Sequence, residues 1–210
     1  MPEPDQRTEL DLIDPALVVP RLRTVALVAA GIGVLAAVVV GAVASWPIGI
    51  LVGVIIGGPT GISAMLAMRR RKWMSGTVIH ARRALGYRTL DVAQAVSAEL
   101  QVRTARVSQV SLRIGDGNKS VTVPLALYTD TGGAELGVLA LRKLADALAS
   151  SELAAAAAVS SVLVQQLRAE AREAGLDERP LYAAVRAVRD SGRANFTTLS
   201  DAEVAGLLDP

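Results

Sequence analysis

The most regular pattern in the chain is a long stretch of apolar residues without charge. Residues 24–68 contain no Asp, Glu, Lys or Arg, which is enough chain for two membrane-spanning helices of about 20 residues each. Trp46 and Pro47 interrupt the stretch, and Trp favours the membrane interface whereas Pro opens a helix. The pattern therefore predicts a helical hairpin with transmembrane spans at 24–45 and 48–68.

Small side chains recur at every fourth position of this stretch. Rows of Gly and Ala let helices approach closely inside a bilayer, where hydrophobicity does not drive helices together. We therefore predict that the two spans pack through a glycine zipper formed by Ala29, Gly33, Ala37, Gly41, Gly49, Gly53, Gly57 and Gly61.

Basic residues flank the apolar stretch and predict its orientation. Arg21 and Arg23 precede it, residues 69–72 after it are all basic, and the turn between the spans is uncharged. A cleaved signal peptide is the competing interpretation of the first span, but that run exceeds the usual signal core of about 7 to 15 residues and a second span follows. The positive-inside rule then predicts a cell-membrane protein with both termini in the cytoplasm.

After the second span, the periodicity changes to the alternation that is typical of strands. Residues 96–103 alternate between apolar and polar side chains, and residues 109–114 and 121–127 flank a turn rich in Gly and Asp, which indicates a hairpin. Pro124 cannot donate a ladder hydrogen bond, so it marks an edge strand or a bulge.

Helical patterns follow these strands. An amphipathic helix over residues 136–148 would complete a small cytosolic α+β domain at residues 73–150. The remaining segment, 151–210, reads as C-terminal helices, and Ser200 with Glu203 has the spacing of a capping box. The apolar residues of this segment suit docking of a partner or packing on the domain, and we favour packing.

The charge is distributed unevenly along the chain. Residues 1–20 are acidic and rich in Pro, which predicts a disordered tail. Residues 69–88 carry seven basic side chains and no acidic one. This strip predicts contact with anionic lipid headgroups through Arg69, Arg70, Arg71, Lys72, Arg82 and Arg83. Two alternatives stay open: the strip only sets the topology, or it contacts the acidic tail.

Candidate chemistry is sparse. The chain has no Cys and a single His, His80, and no phosphate-binding loop, dinucleotide fingerprint or paired-Cys motif is present. Aromatic residues make up 3% of the chain, too few for a stacking platform on nucleic acid. We therefore predict no catalysis, no cofactor, no metal site, no nucleic-acid partner and no small-molecule substrate.

The order of these segments resembles two-span membrane proteins of actinobacteria. The strands and closing helix between Val96 and Leu148 also resemble small bacterial pleckstrin-homology-like domains. The sequence favours a membrane-anchored interaction module, an accessory or scaffold subunit of a membrane or cell-envelope complex, with a protein partner or a second copy of itself. The alternative is a homo-oligomeric pore packed through the glycine zipper.

Overall fold

The computed structural model describes residues 7–12, 15–68, 71–82, 86–129 and 132–208. The chain divides into two compact units. The first, which we call the hairpin, comprises Ile13–Arg70 with Arg82–Gly86, and the second, which we call the domain, comprises Met1–Leu12, Arg71–Ala81 and Tyr87–Pro210.

Two apolar helices form the hairpin. They are α1 (Pro15–Val43) and α2 (Trp46–Met68). Each has a segment long and apolar enough to cross a membrane, Leu22–Val43 and Trp46–Ser63. The coarse prediction of two such helices followed by a mixed region of helices and sheets is therefore confirmed.

The bounds of the helices differ from the predicted spans at two points. Helix α1 begins at Pro15, before the uncharged stretch, and continues through Pro20. The Thr24 hydroxyl donates to the Pro20 carbonyl at 3.1 Å within the same helix. Trp46 is the first residue of α2 and not part of the turn. Pro47 is then the second residue of α2, which agrees with the preference of Pro for the first turn of a helix.

The domain contains two antiparallel sheets. The first sheet has four strands in the order β1-β2-β3-β4, and the second has five in the order β8-β7-β6-β5-β9. The strands are β1 (Thr8–Glu9), β2 (Arg71–Ser75), β3 (Val78–Arg82), β4 (Tyr87–Asp91), β5 (Ser97–Arg103), β6 (Ser108–Gly115), β7 (Ser120–Thr129), β8 (Gly132–Glu135) and β9 (Phe196–Thr198).

The predicted hairpin between β6 and β7 is present and contains the predicted irregularity. Asp116 closes the turn, because its carboxylate accepts hydrogen bonds from the backbone N–H groups of Asn118 and Lys119. Gly117 has a φ of 89°, which favours glycine. The register shifts between Val110 and Ser111, where Leu125 is an extra residue of β7 next to Pro124, so the bulge that Pro124 predicts is confirmed.

Four α-helices are present among the described residues of the domain. They are α3 (Val138–Ala149), α4 (Ala154–Ala171), α5 (Pro180–Asp190) and α6 (Asp201–Gly206). A single hydrophobic core extends from Leu10 through both sheets to Val204. The apolar faces of the segment 151–210 pack in the core of the α+β domain, as the favoured interpretation predicted. The segment is not entirely helical, because β9 adds an edge strand to the second sheet.

The N-terminal segment also differs from the predicted acidic tail. Among its described residues, Thr8 and Glu9 form β1, which pairs with Met74 and Trp73 of β2. Leu10 is fully buried in the core, and its N–H donates to the Lys72 carbonyl at 2.9 Å. A buried Leu and backbone pairing stabilise this segment despite its negative charge.

Candidate functional site

The small residues of the hairpin line the contact between α1 and α2. A Cβ atom built on Gly53 would lie 2.5 Å from the carbonyl oxygen of Gly33, and one built on Gly57 would lie 2.8 Å from that of Ala29. One built on Gly49 would overlap the carbonyl of Ala37. Real Cβ atoms do not approach so closely, so a side chain at these glycines would separate the helices.

The small residues do not all take part in the contact between α1 and α2. Gly41 faces the Trp46 ring, whose Cε3 atom would lie 3.1 Å from an added Cβ. Gly61, although it continues the four-residue spacing, has nothing within 4 Å of its Cβ position, and neither has Gly31. The structure thus brings seven of the eight predicted packing residues together and leaves Gly61 outside the contact.

An apolar groove of 420 Å³ runs along one flank of the hairpin. Its lining includes Ala30, Val34, Ile50, Gly58 and Gly61. These residues present little polar surface and no ionisable group. The lining of the groove is therefore almost entirely apolar.

Half of the predicted lipid-contact residues lie in the described part of the chain. Arg71 and Arg82 are exposed there. The Lys72 ammonium donates to the Thr122 carbonyl of β7 at 2.5 Å, so it has an intramolecular acceptor. Arg69, Arg70 and Arg83 lie outside the described residues.

An aromatic cluster occupies the outer face of the first sheet, which we define as the face opposite Met74, Ile79 and Leu90. The Trp73 and His80 rings stack with centroids 5.4 Å apart, and Tyr87 meets Trp73 edge to face at the same distance. The Arg7 guanidinium lies 5.9 Å from the centroid of the Trp73 ring, within cation–π range.

Sequence patterns did not single out this cluster. The cluster combines Trp73, His80 and Tyr87, which lie on three different strands, with Arg7, which precedes β1. The only local sequence signal for it is the presence of Arg71 and Trp73 two positions apart on β2. His80, the only His, packs against a ring and is not paired with a nucleophile or a carboxylate in any described contact.

A buried polar cluster joins distant elements of the domain. The Glu135 carboxylate accepts hydrogen bonds from the Tyr128 hydroxyl at 2.6 Å, the Gln166 amide at 2.7 Å and the Arg179 guanidinium at 2.6 Å. The Gln166 oxygen in turn accepts from the Leu181 N–H at 3.1 Å. The cluster therefore ties β7 and β8 to α4 and to the start of α5.

The electrostatics of this cluster favour a structural role. Burial, together with the hydrogen bond to the Glu135 carboxylate, raises the pKa of Tyr128 well above its ordinary value of 10.0. The phenol therefore remains a neutral hydrogen-bond donor, unsuited to act as a base. Gln166 is fully buried, and the Glu135 side chain is 10% exposed.

Neither the described residues nor the comparisons with known proteins point to a chemistry. Within the described ranges, no group of three or more His, Cys, Asp or Glu side chains could hold a metal ion. The chain matches no protein-family model, no curated protein and no solved structure. A functional assignment therefore depends on the physical features described above.

Proposed function

We propose that the chain is a membrane-anchored interaction module, an accessory or scaffold subunit of a membrane or cell-envelope complex. In this proposal α1 and α2 cross the cell membrane, and the domain and both termini lie in the cytoplasm. The chain performs no catalysis of its own. Its partner is a protein, and its lipid contacts are with anionic headgroups.

The pairing of β1 with β2 is the observation that carries the membrane topology. Strand β1 ends before the hairpin and β2 begins after it, yet Glu9 lies opposite Trp73 in one antiparallel ladder. The chain therefore leaves and re-enters the domain at one sheet edge. A segment that starts and ends on the same side of a bilayer crosses it an even number of times, which two helices satisfy.

The same pairing argues against a cleaved signal peptide. Cleavage after the first span would remove β1 and the buried Leu10 from the first sheet. The exposure of the two helices adds support, because only 11% of each apolar segment is buried within the protein. An apolar surface of this size needs lipid or another protein to cover it.

The number of strands before α3 supports the proposed resemblance to pleckstrin-homology-like domains. In the described part of the chain, β2 to β8 are seven consecutive strands, and α3 follows them. Folds of this kind host many functions, so the resemblance supports an architecture and not an activity.

The docking surface in this proposal is the outer side of the C-terminal segment. Its inward apolar residues are already used in the core, but Phe196 of β9 is 58% exposed at the edge of the second sheet. A large aromatic at a sheet edge is a common anchor for a protein partner.

Copurification of the full chain in mild detergent tests this function. We expect one defined partner at a fixed ratio, retained by Tyr87→Ala and lost from Phe196→Ala, since both side chains are 58% exposed but lie on different sheets. Recovery of the chain alone, or equal loss from both variants, would contradict the proposal.

A homo-oligomeric pore is the second candidate. The open groove that includes Gly58 and Gly61 favours it, because these small residues are not used between α1 and α2. The absence of ionisable groups from that lining weighs against a conducting path. Ion flux through liposomes that contain the pure protein would favour the pore over the scaffold.

A further inference from the structure

We propose that the outer face of the first sheet, with Arg7, Arg71, Trp73, His80 and Tyr87, binds the headgroup layer of an anionic membrane. This inference rests on the proposed membrane anchoring, and it extends that function to a lipid-binding site built from aromatic and basic side chains. The site differs from the basic strip predicted from the sequence, since Trp73, His80, Tyr87 and Arg7 are central to it.

The alternation of the strands separates this face from the core. Met74 of β2, Ile79 of β3 and Leu90 of β4 are buried to 2% exposure or less. Their neighbours Trp73 and His80 therefore point to the opposite side of the sheet, where they stack on each other. Tyr87 joins them and is largely exposed.

The chemistry of the face matches a membrane interface. Trp and Tyr concentrate at the headgroup level of bilayers because their rings are apolar and their N–H and O–H groups are polar. Arg7 lies over Trp73 and Arg71 is exposed, so cationic groups border the rings.

Acidic residues also lie on or beside this face. Glu9 is opposite Trp73 on β1, alternation places Asp91 on the same side of β4 as Tyr87, and Asp11 interacts electrostatically with Arg71. The Asp91 carboxylate accepts a hydrogen bond from the Ala93 N–H, so the attraction to anionic lipid rests on the guanidinium groups of Arg7 and Arg71.

Chain length limits how far this face lies from the membrane if α2 crosses it. Helix α2 ends at Met68 and β2 begins at Arg71, and three residues span at most about 11 Å. The start of β2 is therefore held within reach of the headgroup layer. An attached surface needs only a small contact energy to stay bound, because tethering raises its effective concentration.

The two tryptophans allow a direct test. The chain contains only Trp46 and Trp73, so Trp46→Phe leaves Trp73 as the single reporter and Trp73→Phe leaves Trp46. Each full-length variant is reconstituted in phosphatidylcholine vesicles with or without phosphatidylglycerol. Lipids brominated near the headgroup quench a membrane-bound indole, and acrylamide quenches an indole in water.

We expect brominated lipid to quench Trp73 strongly in anionic vesicles and weakly in neutral ones. Arg7→Gln and Arg71→Gln should each lower the ratio of membrane-bound to free Trp73 by about fivefold. The matched control Arg103→Gln, an exposed Arg on the second sheet, should leave that ratio unchanged.

Three results would overturn the inference. Acrylamide could quench Trp73 in both kinds of vesicle, or Trp73 could be shielded from both quenchers, as it would be by a covering protein. The third result is that brominated lipid quenches Trp73 equally with and without anionic lipid. The companion variant separates these failures from failure of the proposed function. Trp46, next to the turn of the hairpin, is quenched by lipid in both compositions if the hairpin is inserted. Lack of quenching at Trp46 would instead contradict the membrane anchoring itself.

Discussion

The hairpin and the domain use apolar residues in opposite ways. In the hairpin, small residues meet between the helices and large ones point outward, so that Leu27 is 73% and Leu35 is 66% exposed. In the domain, Leu112, Leu141 and Leu144 are fully buried, whereas charged residues such as Arg103 and Arg106 are exposed. Leu therefore contributes packing energy in the domain and, as we propose, contacts lipid in the hairpin.

The difference follows from the solvent that each unit requires. Water drives Leu side chains into the core of the domain, at about 25 cal/mol for each Å² of apolar surface buried. Lipid supplies no such drive between helices, so their association depends more on close packing of the backbones, which small residues such as Gly and Ala allow. The exposed Leu and Val side chains of the hairpin are consistent with this second case.

The largest effect that we predict concerns the polar cluster inside the domain. Glu135→Ala removes the acceptor shared by Tyr128, Gln166 and Arg179 and breaks a largely buried ion pair. We expect a loss of about 3–5 kcal/mol in the free energy of unfolding, measured by chemical denaturation of the detergent-solubilised chain.

The matched control for this change is Asp177→Ala. Asp177 pairs with Arg186 at 3.1 Å, but both side chains are more than half exposed, so the expected loss is about 0–1 kcal/mol. Equal losses from the two variants would show that the cluster has no special role in the fold.

Removal of one large apolar side chain from each unit tests the comparison directly. Leu144→Ala in the core should lower the free energy of unfolding of the domain by about 2–5 kcal/mol. Leu27→Ala in the hairpin should leave it unchanged, because Leu27 makes little contact with protein. A comparable loss from Leu27→Ala would show that the outward side chains of the hairpin are covered by protein.

Enlargement of a glycine tests the packing of the hairpin. Gly53→Leu forces a side chain against the Gly33 carbonyl and should move the helices apart by about 2 Å. Gly61→Leu is the control, since nothing lies near its Cβ position. Electron paramagnetic resonance distances between spin labels at the exposed positions 27 and 62 measure the separation, and an unchanged distance in Gly53→Leu would contradict the zipper.

The smallest predicted effect concerns the start of α6 and depends on pH. The N–H and hydroxyl of Ser200 donate to the Glu203 carboxylate at 2.8 and 2.7 Å, which lowers the pKa of Glu203 below its ordinary value of 4.5. A carboxyl group with a lowered folded-state pKa stabilises the fold above its unfolded pKa, and this contribution is lost as the pH falls through the folded value.

Glu203→Gln should therefore reduce the decrease in the free energy of unfolding between neutral and acidic pH. Ser200→Ala removes the cap and should lower the free energy of unfolding by about 1 kcal/mol at neutral pH. Thermal unfolding followed at several pH values measures both effects. An unaltered acid dependence in Glu203→Gln would exclude a contribution from this carboxylate.

Local features were the part of the fold that could be predicted from sequence. The capping box of Ser200 and Glu203 is confirmed, as is the bulge at Pro124. Each depends on the chemistry of residues that lie within a few positions of one another, so spacing alone identifies it. The same holds for the uncharged stretch 24–68, most of which lies in α1 and α2.

Long-range pairings could not be predicted in this way. The sequence around Thr8 and Glu9 does not indicate that these residues pair with β2, because the whole helical hairpin lies between β1 and β2 in the chain. Likewise, Glu135 meets residues 31 and 44 positions away, and Trp73 meets His80 and Tyr87 only because three strands align. Such contacts depend on register and strand order, which a single sequence does not specify.

Site-specific labelling from outside the cell tests the central claim most directly, namely that the hairpin crosses the membrane and the domain stays in the cytoplasm. The chain has no Cys, so Ser45→Cys in the turn and Arg106→Cys in the exposed loop after β5 each give a single thiol. A membrane-impermeant maleimide should label Ser45→Cys in intact cells and Arg106→Cys only after permeabilisation. Labelling of Arg106→Cys in intact cells, or protection of Ser45→Cys there, would contradict the account.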